Sequence, residues 1–234
     1  MLYHFPTKII CLPSFPIMLD GVSLERVSQI RCLGVVLQDT FSWKEQSDAL
    51  VSRLRSVNAI LAKLRSVHAP CIVRLNIYKS LFLSILNYAN VIWGNLPEVF
   101  IAPLQVVQND ALRIIFGINS RRTSVGHLYP KHNLLRIVDL FKYNIGIFSF
   151  KQIKQIHPPE TIFKYTSYDM PYESRTAKLN LLEFRLGYGT VTAERYSVHA
   201  QVVKCWNSLP VELTKINSLE LFKKRLRLHL VSPA

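Results

Sequence analysis

Between Phe41 and Val67 the apolar residues Leu50, Leu54, Val57, Leu61 and Leu64 recur at alternating spacings of four and three. At about 100° per residue these side chains share one face of a helix, which must be buried against a neighbour. Ser42-Trp43-Lys44-Glu45 has the S-x-x-E spacing of a capping box, so the helix is expected to open at Ser42. Lys44, Arg55 and Lys63 fall on other faces, and Arg53 and Arg65 border the stripe on its two sides.

Two further helices follow. One starts at Pro70, with Ile72, Leu75, Tyr78, Phe82 and Ile85 or Leu86 inward, and ends before Gly94. The next runs from Pro103 to Phe116, with Leu104, Val107, Ala111, Leu112 and Ile115 inward and Gly117 beyond its C-terminus. Short connections make these three helices antiparallel neighbours in sequence order. Beyond the polar break Ser120-Arg121-Arg122-Thr123, a helix is expected over Leu134 to Ile156, with Val138, Phe141, Ile145, Phe148 and Ile153 inward and His157-Pro158-Pro159 as its stop. Residues 160–194 are irregular, and helical periodicity returns at Arg195 to Ser208 and Ser218 to Val231.

Before Phe41 the pattern is extended. Ile17-Met18-Leu19 and Val22-Ser23-Leu24 flank Asp20-Gly21, a two-residue hairpin signal. Val27 to Leu37 reads as a second extended run, in which Gly34 suggests a bulge or a close backbone approach. The expected fold is thus mainly α within an α+β class. A short hairpin or sheet edge over 1–40 precedes a helical bundle over 41–125 and a C-terminal helical region over 126–234.

The chain has 234 residues, 49% of them hydrophobic, and 29 Lys plus Arg against 15 Asp plus Glu, a net charge of +14. That hydrophobic content excludes intrinsic disorder. The four cysteines, Cys11, Cys32, Cys71 and Cys205, form no CxxC and read as buried thiols in a reducing compartment. Prolines 6, 13 and 16 interrupt any signal-peptide core, and the uncharged run Ser80 to Pro97 reads as a buried helix with its exit loop. A soluble, intracellular (nuclear or cytoplasmic), non-secreted protein is expected. Nucleic acid is the commonest outlet for so large a cationic surplus, because each neutralised phosphate releases counterions; solvated cations on helix exteriors are the alternative.

Motifs for self-contained chemistry do not emerge. Asp20, Asp39, Asp48, Asp110, Asp139 and Asp169 show no DD or DxD pairing for shared cations. His127 and His132 lie five apart with no cysteine nearby and read as a surface pair. No GxSxG, GxxxxGK[ST] or HExxH occurs. Phe82, Phe141, Phe148 and Phe222 fall on stripes expected to be core, while Tyr165, Tyr168, Tyr172 and Tyr188 stay open as base-stacking candidates.

Ile30-Arg31-Cys32-Leu33-Gly34-Val35-Val36-Leu37, followed by Phe41-Ser42-Trp43-Lys44, resembles a stretch of non-LTR (LINE-like) retrotransposon reverse transcriptases. Those proteins carry K-x-L-G-V-x-(I/L)-D after the catalytic palm and then a helix opening with (L/F)-(S/T)-W. The likeness continues at Leu86 to Gly94, similar to Y-x-x-x-x-W-G, and at Leu104 to Ile115, similar to L-x-x-L-Q-x-x-A-x-R-I-I with Val107 for the second Leu. Trp206-Asn207-Ser208-Leu209-Pro210 and Phe222-Lys223-Lys224-Arg225-Leu226 look like W-N-x-L-P and F-K-K-x-L. Each match is weak alone, but their order along nearly the whole chain is specific.

The resemblance implies the end of a polymerase palm, a thumb over the 41–125 bundle, and the region after it. The family's Y/F-A-D-D motif would lie upstream of Met1, and Gln38-Asp39 stands where the family has Asp. Met1 to Phe5 look like family sequence running through the start, so Met1 is expected to be internal to a longer frame. The implied role is a catalytically inert part of an RNA-directed DNA polymerase that holds a template–primer RNA/DNA duplex by its backbone. No cofactor is expected in this chain, since the Mg ions would belong to the missing palm. Lys44, Arg55, Lys63, Arg65, Arg121 and Arg122 are the candidate phosphate contacts, and Leu33 and Gly34 the primer-grip-like element. The upstream palm is an expected partner, and a membrane is not, although the amphipathic stretch 218–231 leaves a membrane-surface role as a minor option. The alternative is a decayed or partner-dependent helical interaction domain.

Overall fold

The computed structural model describes residues 18–25, 27–40, 42–156, 166–167, 182–183 and 198–231. Ile17, Cys11, the His157-Pro158-Pro159 stop, and Tyr165, Tyr168, Tyr172 and Tyr188 lie outside them. The chain is mainly helical, with short antiparallel strand pairs first.

Strands β1 (Met18–Leu19) and β2 (Val22–Ser23) pair across Asp20 and Gly21, both at positive φ, as the Asp-Gly signal requires. Strands β3 (Gln29–Cys32) and β4 (Val35–Gln38) form a second hairpin with Cys32 opposite Val35. Its turn is Leu33-Gly34, with φ of 47° and 81°. The expected continuous run is thus a hairpin, and Gly34 is neither a bulge nor a backbone crossing. It supplies the second left-handed position of a two-residue turn. Leu33 gives no turn signal, because a leucine in that region is disfavoured.

Helix α1 (Lys44–Ser66) carries the expected stripe: Leu50, Leu54, Val57 and Leu61 are buried, and Leu64 is half-buried. Its N-terminus departs from the capping box. Trp43 is the cap, and the Ser42 hydroxyl accepts from the Lys44 amide at 3.3 Å, one turn position too early for the reciprocal pair. The β4 strand is tied to α1 by the Val36 amide donating to Gln46 Oε1 at 2.9 Å.

The second expected helix is broken. It comprises α2 (Cys71–Ile77), a wider i→i+5 turn over Tyr78–Phe82, and α3 (Leu83–Asn87). Ala89 at φ 51° then starts α4 (Asn90–Trp93). Leu75, Tyr78, Phe82 and Leu86 are buried as expected, whereas Ile72, one turn from the end, is 61% exposed. Gly94 ends α4 where a Cβ would lie 2.4 Å from both the Asn90 carbonyl and the Phe141 ring. Helix α5 (Glu98–Phe116) begins five residues before Pro103, the expected start. Pro97 is its cap, and Pro103 is accommodated inside it. Gly117, at φ 74°, ends it as expected, with the Gly117 and Ile118 amides donating to the Arg113 carbonyl.

Three bonds fix the direction of α5 relative to α1. Ser47 Oγ donates to the Phe100 carbonyl, Asn58 Nδ2 to the Val107 carbonyl, and Arg65 Nη2 to Asn119 Oδ1. The two helices therefore run parallel, and the segment 71–93 returns between their ends.

The core continues through α6 (Leu128–Lys131) and into α7 (Ile137–Ile153), with Leu134, Leu135, Ile137 and Leu140 joining the α1–α5 cluster. The buried face of α7 is Ile137, Leu140, Ile145, Gly146, Ser149 and Phe150. That is rotated from expectation: Val138 is 40% exposed, and Phe141 and Phe148 are half-buried. A short pair, β5 (Thr166–Ser167) with β6 (Leu182–Glu183), is the described part of the irregular segment. Helices α8 (Val198–Ser208), α9 (Val211–Thr214) and α10 (Leu219–Val231) pack a second cluster of Phe150, Trp206, Leu209, Leu213, Phe222 and Leu226. Cys32 and Cys71 are exposed, contrary to the buried thiols expected: both lie on faces that no described element covers.

Among the described residues, α5 is the one helix long and apolar enough to cross a membrane by length and composition. Gln105, Asn109, Asp110 and Arg113 interrupt its surface, and Leu104, Val107, Ala111, Leu112 and Ile115 are in the core.

Leu33 is 85% exposed, so replacing it changes little but the turn. Leu33→Asn should stabilise the protein by about 1 kcal/mol, because Asn tolerates the left-handed region. Urea denaturation of the two proteins measures it.

Candidate nucleic-acid interface

Parallel packing places the C-terminal ends of α1 and α5 together. Both ends carry partial negative charge from unpaired carbonyls, and cationic side chains satisfy them. Arg65 Nη2 donates to Asn119 Oδ1 at 2.6 Å and reaches the Gly117 carbonyl at 3.5 Å. Arg113 Nη2 donates to the Arg121 and Thr123 carbonyls at 3.1 and 3.3 Å, and its Nη1 pairs with Asp110 at 3.1 Å. These two guanidiniums hold the 117–123 loop against the helices.

The six candidate cations are not brought to one surface. Lys63, Arg65, Arg121 and Arg122 gather at the C-terminal end of α1. Lys44 lies about 28 Å away along the axis, with Arg55 between and about 20° from it around the helix. Lys63 is rotated from Lys44 by about 100°. Lys44, Arg55, Lys63, Arg121 and Arg122 are exposed, and none forms an ion pair among the described residues. Arg65 differs, since its fork is engaged in loop anchoring. Leu33 and Gly34 sit at the Lys44 end, where Tyr88 Oη donates to the Leu33 carbonyl at 2.5 Å.

Sequence reasoning missed a buried polar node on α5. Gln108, fully buried, donates to Tyr78 Oη and to the Leu135 carbonyl, each at 2.9 Å, and accepts from Gln105 and Tyr129. Gln105 Oε1 accepts from the Ile137 amide at 3.1 Å, locking the start of α7 onto α5. Burial drives the Tyr78 and Tyr129 hydroxyls far above the usual tyrosine range, so both stay protonated, Tyr78 accepting from Gln108 and Tyr129 donating. Amides at 105, 108 and 109 on one face of an apolar helix were the available signal. Gln108, Ala111 and Arg113, which carry part of the resemblance, have structural positions here: node, core and loop anchor.

Other chemistry finds little support in the geometry. His132 stacks on Phe116 with ring centroids 4.3 Å apart, while His127 is exposed. Partial burial, with Lys131 and Lys79 nearby, holds the His132 imidazole below its usual value. No three His, Cys, Asp or Glu side chains converge among the described residues, so these residues supply no carboxylate set for divalent ions. Cys205 and His229 line a cavity of about 490 Å³ beside Lys142. Burial pushes the Cys205 thiol up to about 11, against a hydrogen bond with Ser149 and the Lys142 charge, which is the reverse of an activated nucleophile.

A scan against protein-family models finds no match, and searches of curated proteins and of solved structures find none either.

Two predictions follow from this geometry. Arg65→Met should cost about 1 kcal/mol of stability through its lost bonds, whereas Lys63→Gln should change stability by less than about 0.5 kcal/mol; thermal denaturation separates them. The folded Cys205 thiol ionises later than an unfolded one near 9.0. Its stabilising contribution is complete below that pH and is lost as pH rises toward 11. Cys205→Ala should therefore flatten the fall in stability between pH 9 and 11, measured by denaturation at each pH.

Proposed function

We propose that this chain is a catalytically incomplete C-terminal part of a non-LTR retrotransposon reverse transcriptase, holding a template–primer duplex by its phosphates without reading sequence. The observation that carries this reading is a set of cations without an ion pair among the described residues at the C-terminal end of α1, where Lys63 lies beside the loop that bears Arg121 and Arg122 and is fixed by Arg65 and Arg113. Backbone binding of this kind needs positioned charge and no base-edge contacts. The motif residues support the parent family. Trp206 and Leu209 are buried, Pro210 caps α9, and Trp93 is buried with its indole donating to the Tyr88 carbonyl. The Leu33-Gly34 tip, beside Tyr88 at the N-terminal end of α1, is the proposed primer-end element.

A second reading rests on the two N-terminal hairpins. Met18, Leu19, Val22, Leu24, Ile30 and Leu33 are all exposed, an apolar surface that favours a partner-dependent interaction domain. Gel filtration with and without a co-expressed upstream palm segment distinguishes it.

Lys63, Arg121 and Arg122, gathered at one end of α1, supply about three phosphate contacts, so log affinity for an RNA–DNA hybrid should fall against log salt with a slope of about −3. Lys63→Gln should make that slope shallower by about 0.9. A flat response, or no binding at low salt, contradicts the proposal.

A further inference from the structure

A cavity of about 190 Å³ lies between α5, the 124–126 turn and the start of α7, lined by Gln105, Asn109, Arg113, Ser124, Tyr129 and Arg136 among others. Its donors outnumber its acceptors. Arg113 uses both terminal nitrogens on the loop and Asp110, and its Nε–H, enclosed in the cavity wall, has no acceptor among the described residues. Asn109 Oδ1 accepts from Gln105 and Tyr129, and its amide NH2 has no acceptor among the described residues. Ser124 Oγ accepts from the Gly126 amide at 3.3 Å and keeps its own proton to donate.

Arg136 lies over the Tyr129 ring at 5.5 Å and makes no hydrogen bond through its guanidinium among the described residues. Gly126 gives the cavity its space. A Cβ there would sit 3.4 Å from Arg136 Nη2 and 3.5 Å from Ser124 Oγ, so two donors converge on one point. No carboxylate lines the cavity; Asp110 touches Arg113 from outside it. The α7 helix opens at Arg136, adding the positive end of its dipole.

We propose that this cavity binds one phosphate group, with Arg136 as its charged donor, Asn109 and Ser124 as neutral ones, and the Asp110-paired Arg113 in its wall. Its volume is below the roughly 300 Å³ where pockets for larger ligands begin. The Arg136 guanidinium, unpaired among the described residues, two neutral donors and a lining without carboxylates define an oxyanion site. The group is either a backbone phosphodiester or a free phosphate. As a contact in the duplex it rests on the function proposed above; as an anion site it is tested apart from it.

The test uses the full chain at constant ionic strength. Inorganic phosphate should bind saturably by calorimetry and raise the melting temperature. Arg136→Gln should weaken phosphate about tenfold, Arg136→Lys less, and Lys223→Gln, whose side chain pairs with Glu220 elsewhere, not at all. Circular dichroism checks that each variant is folded. Absence of saturable binding, or equal affinity in wild type and Arg136→Gln, overturns the proposal. An RNA–DNA hybrid then identifies the source. Hybrid binding weakened by Arg136→Gln assigns the group to the nucleic-acid backbone, and unchanged hybrid binding with weakened phosphate assigns it to free phosphate. Wild-type protein that binds phosphate but no hybrid keeps this site and overturns the proposed function.

Discussion

The parallel packing of α1 against α5 is the constraint on which the rest depends. Two helix C-termini at one end of a bundle create a region of partial negative charge and unpaired carbonyls. The sequence places Arg65 and Arg113 there, and their forks tie down the 117–123 loop. Holding that loop presents Arg121 and Arg122 outward and leads into the 124–126 turn, which walls the cavity facing Arg136. Structure and proposed binding are thus linked through the same guanidinium chemistry, with one set of arginines directed inward and another left free.

The Gln108 node performs the complementary task inside. It joins the returning segment through Tyr78, α5 through Gln105, the 128–131 helix through Tyr129 and the approach to α7 through the Leu135 carbonyl. Every polar atom of Gln108 has a partner, so burial carries no desolvation penalty left unmatched. An apolar core alone would let these helices slide; directional bonds at a fully buried amide fix their register.

Legibility followed the strength of the local physics. The α1 stripe was visible because its period is clean, and Asp20-Gly21 because both residues tolerate positive φ. Leu33-Gly34 was hidden, since leucine announces no turn and the run reads as one strand. Pro103 misled because proline commonly opens a helix, whereas Pro97 does so here. The face of α7 was misread because apolar residues surround most of its circumference, as Ile147 and Phe148 beside Ile145 and Phe150 illustrate. At the site, residue charges were readable but not their engagements. Arg65 finds Asn119 across 54 residues of chain, and Arg136 and Asn109 meet only through the tertiary fold.

The most direct measurement of the central claim is amine-reactive footprinting read by mass spectrometry, with and without an RNA–DNA hybrid. Lys63 should lose reactivity when the hybrid is added, while Lys223 and Lys224 keep theirs. Protection spread equally over all three lysines, or none at any, would contradict a phosphate-holding surface at the C-terminal end of α1.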